Sequence, residues 1–485
     1  MTSESWRWRR ERDDSWSFFG SSEFEAFIAH RHQPYSARNR EGVVDRLLVT
    51  LQSGSLRAVD KELADRAELL LAYAVQHSDL ISLTRTPGAL SPGITDELLE
   101  MTESLTYGEL RDTSYGRVQD IQVGESRYTT IPARDEESLS LRLRRSGVPE
   151  RSLRAMSKLW SDLEAHTALD NNVFVTENPT LLRYRRIAWS EANVWVVNIA
   201  EFFDFFDRWC KGSERYLYRP SFRTDRFGYY LERMQRSIPN SIGFAAAVRK
   251  AVEDGLLDEA IFGYILSIQS RLRYMIEARD RIGYLYYTTV GMDATDAALY
   301  HLNYFLLLTT AVFDNCAWVL NLYFGLNFDK YDTDLWDKKF RKALDSPLQA
   351  LISKYRRVMR AFYEPRHSIA HRTLMWGVGL KERRTGGGCN LAEIDEMFAK
   401  WVRGFDRSSS SGPYSTWGMA EVGGIFVLEP YRFTTAALES ITSFVNDLFG
   451  VLWSEGKVRE EGADERSRRR EQRREFVIPM FGPIV

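Results

Sequence analysis

Apolar side chains recur at helical spacing through much of the chain. Leu348, Leu351, Ile352, Tyr355, Val358, Met359 and Phe362 predict a helix over 347–362 with one buried face. Ser346, Pro347 and Gln349 supply its start, as a cap, a first-turn proline and the far corner of a capping box. Leu63, Ala67, Leu70, Leu71, Ala74 and Val75 share one side of a helix over 60–77. Ala437, Ile441, Phe444, Leu448 and Leu452 do the same in a closing helix over 431–453. Further long helices are predicted over 186–210 and 256–283. The most apolar stretch, 296–324, is interrupted by Asn303, Thr310, Asp314 and Asn321. At about 100° per residue these four fall on one stripe, which either meets solvent or faces a special partner inside a bundle. The length permits a membrane span, but an aspartate at mid-helix is costly in lipid, so no membrane partner is expected.

Strand signals are sparse. Residues 374–380 and 423–429 read as two strands that pair into a small β-hairpin. Between them, ERRTGGGCN is a glycine-rich linker without the Gly-Lys-Ser/Thr ending of a phosphate loop. Asn390, with Glu393 three residues on, caps a short helix whose buried face holds Leu391, Ile394, Met397, Phe398 and Trp401. Residues 107–148 are polar and read as loops with a little strand. Residues 84–93 and 408–413 are Pro/Gly- and Ser-rich joints. Trp6, Arg7, Trp8, Arg9 and Arg10 form a terminal arm, packed on the body or stacked on bases. The fold class expected is mainly α, with a helical bundle behind a mostly helical N-terminal region. The domains are 1–150, mixed and helical; 151–290, helical; 291–455, the bundle; and 456–485, an Arg/Glu-rich tail with an apolar ending.

Composition narrows the partners. A chain of 485 residues exceeds what one core serves, so two or three domains are expected. The formal net charge of −2 gives no global attraction to nucleic acid, so any RNA contact must come from local basic patches. Cys210, Cys316 and Cys389 are widely spaced, which suits a reducing compartment and forms no zinc motif. The N-terminal stretch has no apolar leader core, so a cytoplasmic location is expected. His166 and Asp170 lie four apart, as a metal pair would. Without a third ligand in view, a solvated helix face is the better account.

Titratable chemistry concentrates in Phe362–Arg372, written FYEPRHSIAHR. Pro365 is expected to interrupt the preceding helix, moving Glu364 away from helical angles and opening a new helix. Arg366 would then lie in the first turn of that helix and His371 in the next, where free backbone amides attract phosphate oxygens. An arginine fork beside an imidazole there makes a phosphodiester site. Two other accounts stay open. His367 and His371, with Glu364 nearby, could hold a metal, or Arg366 could tie Glu364 or Asp314 in a purely structural core.

The stretch resembles the HEPN superfamily, whose hallmark is arginine, four to six residues, then histidine, with a polar residue often after the arginine. Arg366, His367 and His371 match these positions, and the resemblance covers about 291–455. It implies a helical bundle acting as a metal-independent endoribonuclease, with no cofactor and no metal. It also implies a homodimer that joins two motifs across one groove, and RNA products ending in 2′,3′-cyclic phosphate or 3′-phosphate. By that resemblance His371 is the principal acid/base, Arg366 the phosphate clamp and His367 an orienting or second proton group. Asp314 would hold Arg366 or a histidine in place, while Arg372, Asn315 and Glu364 would line the substrate. Such domains arm prokaryotic toxin and antiviral systems, so an antitoxin or trigger partner is expected. The alternative within the family is a non-catalytic module that dimerises or binds RNA or nucleotide.

Overall fold

The computed structural model describes residues 46–56, 61–88, 102–113, 116–123, 126–132, 136–192, 194–212, 214–219, 222–288, 292–371, 375–381, 388–405, 417–422 and 425–454. The terminal arm, the 408–413 joint, residues 89–93 of the 84–93 loop and the C-terminal tail lie outside the described residues.

Leu47, Val49 and Leu51 are buried on one face of the first strand, β1 (Leu47–Leu51), and Thr50 is buried on the other. A strand covered on both faces belongs inside a layered α/β unit. After the helix α1 (Lys61–Gln76) comes β2 (Ile81–Arg85), and a meander follows from β3 (Glu103–Thr113) through β4 (Gly116–Val123) to β5 (Ser126–Pro132). Two helices, α2 (Glu136–Arg145) and α3 (Glu150–Ala168), lead into β6 (Val173–Val175). Then come α4 (Pro179–Arg183), α5 (Arg185–Ala192), β7 (Val196–Val197) and α6 (Ile199–Gly212). The seven strands lie in the order β5-β4-β3-β2-β1-β6-β7. Pairing is parallel from β3 to β7 and antiparallel in the meander. Helices α1 and α6 cover one face, where Leu70, Leu71, Phe202 and Phe206 meet Val49, Ile81 and Val175. Helices α2 to α5 cover the other, where Leu143, Met156, Trp160 and Leu181 meet Phe174 and Val196.

This unit corrects several expectations. Among the described residues the N-terminal half is helical but also carries a seven-stranded sheet, and 107–148 holds three strands and a helix where loops with a little strand were expected. The expected boundary at residue 150 falls between strands of one sheet. The helix expected over 186–210 is cut in two, because Val196 and Val197 pair with Phe174 and Val175. β-Branched residues fit that pleated, covered position better than a helix interior.

A hairpin of β8 (Tyr216–Arg219) and β9 (Phe222–Thr224) opens the second unit. Its helices are α7 (Arg226–Ser237), α8 (Pro239–Glu253), α9 (Glu259–Thr288), α10 (Met292–Phe324), α11 (Lys338–Ala343) and α12 (Ser346–His371). The chain then runs through β10 (Trp376–Lys381), β11 (Gly388–Ile394), α13 (Glu396–Phe405), β12 (Met419–Val422) and β13 (Ile425–Leu428) to α14 (Pro430–Ser454). One core joins Ile268 and Leu272 of α9, Leu306 and Phe313 of α10, Ile352 and Phe362 of α12, and Phe444 and Leu448 of α14. α9 and α10 form the most extensive helix pair, so the bundle begins before residue 291. Among the described residues α10 alone is long and apolar enough to cross a membrane, and 67% of its most apolar window is buried inside the protein.

Three local expectations differ here. The strands near 376 and 425 do not pair with each other, because β11 lies between them in the order β10-β11-β13-β12. Asn390 to Ile394 therefore belong to a strand, and the helix starts at Glu396, where Asp395 Oδ1 accepts from the Phe398 amide at 2.7 Å. Pro365 does not end its helix: α12 runs from Ser346 to His371 without a break. Proline removes one backbone bond but its fixed φ is helical, and the burial of Met359 and Phe362 holds the preceding turns.

Two glycines separate tight from open packing. A Cβ at Gly377 in β10 would strike Thr295 Cγ2 and lie 3.2 Å from Leu299 Cδ1 on α10, whereas one at Gly263 on α9 would meet nothing within 4 Å. Gly377→Ala is expected to cost about 1–3 kcal/mol, while Gly263→Ala raises stability by up to about 1 kcal/mol. Thermal melts of the two variants check this opposition.

Candidate functional site

The motif occupies the last two turns of α12. Leu348, Ile352, Met359 and Phe362 anchor the helix in the core, and it runs antiparallel to both α10 and α14. Tyr363 OH donates to Asp314 Oδ1 on α10 at 3.2 Å, and Phe313 packs on Tyr363 with ring centroids 6.4 Å apart. Burial, reinforced by the Asp314 charge, pushes the Tyr363 phenol well above its usual range, so it remains a donor. Arg366 follows Tyr363 by three residues, about 4.5 Å of helix rise. At equal rise, position 367 comes level with Thr310. The side chains of Glu364, Arg366, His367 and His371, and all of Arg372, lie outside the described residues. The expectation that the motif starts a helix is overturned. It ends one, so phosphate capture by free helix-start amides does not apply, and the carbonyl end favours cationic side chains instead.

The polar stripe of α10 is mostly internal. Thr310 is buried and its hydroxyl bonds Leu307 O. Asn321 is buried too, and it folds the following loop: Nδ2 donates to Phe328 O and Oδ1 accepts from the Phe328 amide. Asn321 therefore has a structural task. Asp314 is half-buried at the motif end of α12. Asn303 Oδ1 and Asn315 Nδ2 are buried without a hydrogen-bond partner among the described residues.

Two polar assemblies were not legible as such in the sequence. The first joins the two units. Lys211 Nζ on α6 contacts both Asp207 and, at 3.1 Å, Asp280 Oδ2 on α9. Arg279 Nη2 donates to Asp280 Oδ1 at 2.6 Å, and Arg233 on α7 lies 3.8 Å from Asp280 while donating to Tyr229 OH at 2.9 Å. Lys211, Arg279 and Asp280 are all at most 5% exposed. Burial alone would raise the Asp280 pKa, but Arg279, Lys211 and Arg233 outweigh it and hold the carboxyl below the usual range. Burial, with Arg233 beside it, draws the Lys211 pKa down.

The second assembly sits at the carboxyl ends of β1 and β6, where the sheet order reverses. Open α/β sheets take ligands at such a switch point. Gln52 Nε2 donates to Asp162 on α3 at 2.8 Å, its Oε1 accepts from Thr176 Oγ1 at 2.6 Å, and Tyr107 OH donates to Asp162 Oδ1 at 2.6 Å. Burial raises the Asp162 pKa, against the lowering effect of those two bonds. Gly88, at φ +137°, brings the loop after β2 so near Gly54 that a Cβ would sit 2.8 Å from its nitrogen.

Metal chemistry finds no cluster among the described residues, where no group of three His, Cys, Asp or Glu could hold an ion. His166 is not on a solvated face as expected. It is buried, with Nδ1 2.9 Å from Thr50 Oγ1 and its ring edge-on to Phe174. No family model, curated protein or solved structure matches the chain.

Asp280→Asn leaves the buried Lys211 and Arg279 and the half-buried Arg233 facing one carboxylate and is expected to cost about 3–5 kcal/mol. Exchanging the exposed Arg249–Glu253 pair should change stability by less than about 1 kcal/mol. Because the folded Asp280 pKa is depressed, its contribution is complete above the unfolded value near pH 4 and fades as pH falls below it. Denaturant titrations from pH 7 to pH 2 should therefore show a steeper acid loss for wild type than for Asp280→Asn.

Proposed function

We propose that the chain is a metal-independent endoribonuclease of HEPN type, working in prokaryotic antiviral defence or a toxin system. The observation that supports this most is the Tyr363–Asp314 bond, which ties an acidic position on α10 to the helix turn just before Arg366. The motif thus ends a helix clamped between α10 and α14, with acceptor oxygens of Asp314 and Asn303 on the neighbouring stripe.

The chemistry follows from residue types. A base removes the 2′-hydroxyl proton, the 2′-oxygen attacks the adjacent phosphorus, and the 5′-oxygen leaves with a proton from an acid. This yields a 2′,3′-cyclic phosphate and a 5′-hydroxyl. Histidine serves either proton step near neutrality, which assigns His371 the principal role and His367 the second. Arg366 offsets the charge on the phosphate oxygens. In this proposal Asp314 holds Arg366 or a histidine in place, with Asn315, Glu364 and Arg372 around the substrate. One motif offers few proton carriers, so a homodimer pairing two motifs is part of the proposal.

A second reading, a non-catalytic module that binds RNA or nucleotide, draws on the switch point between β1 and β6. Cleavage of an RNA pool in EDTA separates the two. Under the ribonuclease reading wild type cleaves, and Arg366→Ala and His371→Ala each lose at least about 100-fold in rate while remaining folded. Equal activity in all three would place the chemistry elsewhere. RNA binding without turnover would favour the second reading.

A further inference from the structure

We propose that the α2–α3 hairpin is an RNA-binding surface that grips the phosphate backbone through Arg145, Arg151, Arg154 and Lys158. Residues 136–158 carry Arg142, Arg144, Arg145, Arg151, Arg154 and Lys158 against Glu136, Glu137 and Glu150, an excess of three positive charges in a chain of net charge −2. Arg142 is occupied by Glu191 and Arg144 by Glu150. The other four cations are exposed, and none is ion-paired among the described residues. On α3, Arg151, Arg154 and Lys158 follow i, i+3, i+7 and share the outward face with small Ala155 and Ser161. Their span of about 10 Å along the helix matches about three phosphates of a stacked strand.

Placement strengthens the assignment. α3 runs against the direction of β1 and β6: its His166 meets Thr50, its Asp162 meets Gln52, and Asn172 beyond its end meets Leu48. Moving toward its N-terminus therefore passes the carboxyl edge of the sheet. Lys158 to Arg151 lie about 6 to 16 Å beyond the level of Asp162, so the basic row overhangs the switch point. A lipid surface is the poorer match. An interfacial helix buries its apolar face in the bilayer, and that face of α3 (Leu153, Met156, Trp160 and Leu163) is already buried in protein.

The choice of RNA as the polyanion rests on the ribonuclease reading, but binding is measured without cleavage. The probe is a fluorescein-labelled 2′-O-methyl RNA 20-mer, which lacks the attacking hydroxyl. Anisotropy titrations at several KCl concentrations compare wild type with the variant Arg145→Gln/Arg151→Gln/Arg154→Gln/Lys158→Gln. The variant should bind at least about tenfold more weakly at 100 mM salt. The slope of log affinity against log salt should fall by about 3, at about 0.7 per lost phosphate contact. Three results would overturn the assignment: no binding by wild type, unchanged affinity and slope, or an equal loss in Arg249→Gln/Lys250→Gln on the exposed face of α8. Loss of phosphatidylserine-vesicle binding with RNA binding intact would also overturn it. Binding through this face without cleavage of natural RNA would leave the surface standing and remove the nuclease. Cleavage with unchanged affinity in the variant would do the reverse.

Discussion

Lys211 and Asp280 meet where the last helix of the sheet unit lies against the first helices of the bundle. Taking such charges out of water costs several kcal/mol per ion unless each finds its partners. Here the partners come from three elements: Asp207 and Lys211 from α6, Arg233 from α7, and Arg279 and Asp280 from α9. The network is complete only when all three dock in one register. A shift of α6 along α9 would leave a charge buried and alone. The contact is therefore a strong constraint on how the units join, whatever its net contribution to stability.

That register carries through to the motif. α9 packs along α10, and α10 presents Asp314 to Tyr363. The chain of contacts from the sheet unit to the end of α12 thus consists of packed helices and buried polar bonds. Two features of the first unit, the buried polar switch point and the exposed basic hairpin, stand at the other end of it.

Amphipathic helices were the legible part of this fold. Helices α1 and α14 lie close to their expected bounds because a single buried face sets their periodicity, and α9 and α10 do so as long apolar stretches buried on more than one side. The parallel sheet was not legible. β6 and β7 are three and two residues long and covered on both faces, so they show no alternation, and Val196 and Val197 read as part of a helix. Pro365 misled in the opposite direction, since a local breaker was overridden by packing on both sides of α12. Around the site, the α10 stripe was legible, but its members have different tasks: Asn321 shapes a loop while Asp314 meets Tyr363. The ionic junction was hidden because Asp207, Lys211 and Asp280 look like ordinary surface charges on amphipathic helices until the helices are assembled.

The ribonuclease reading stands on attack by the substrate's own 2′-hydroxyl, and changing that atom tests it most directly. Matched strands, one RNA and one with 2′-deoxyribose throughout, would be incubated with the full chain in EDTA and the product termini identified. The account predicts cleavage of the RNA alone, with 2′,3′-cyclic phosphate or 3′-phosphate ends. Cleavage of both strands, or products bearing 5′-phosphate and 3′-hydroxyl ends, would contradict it.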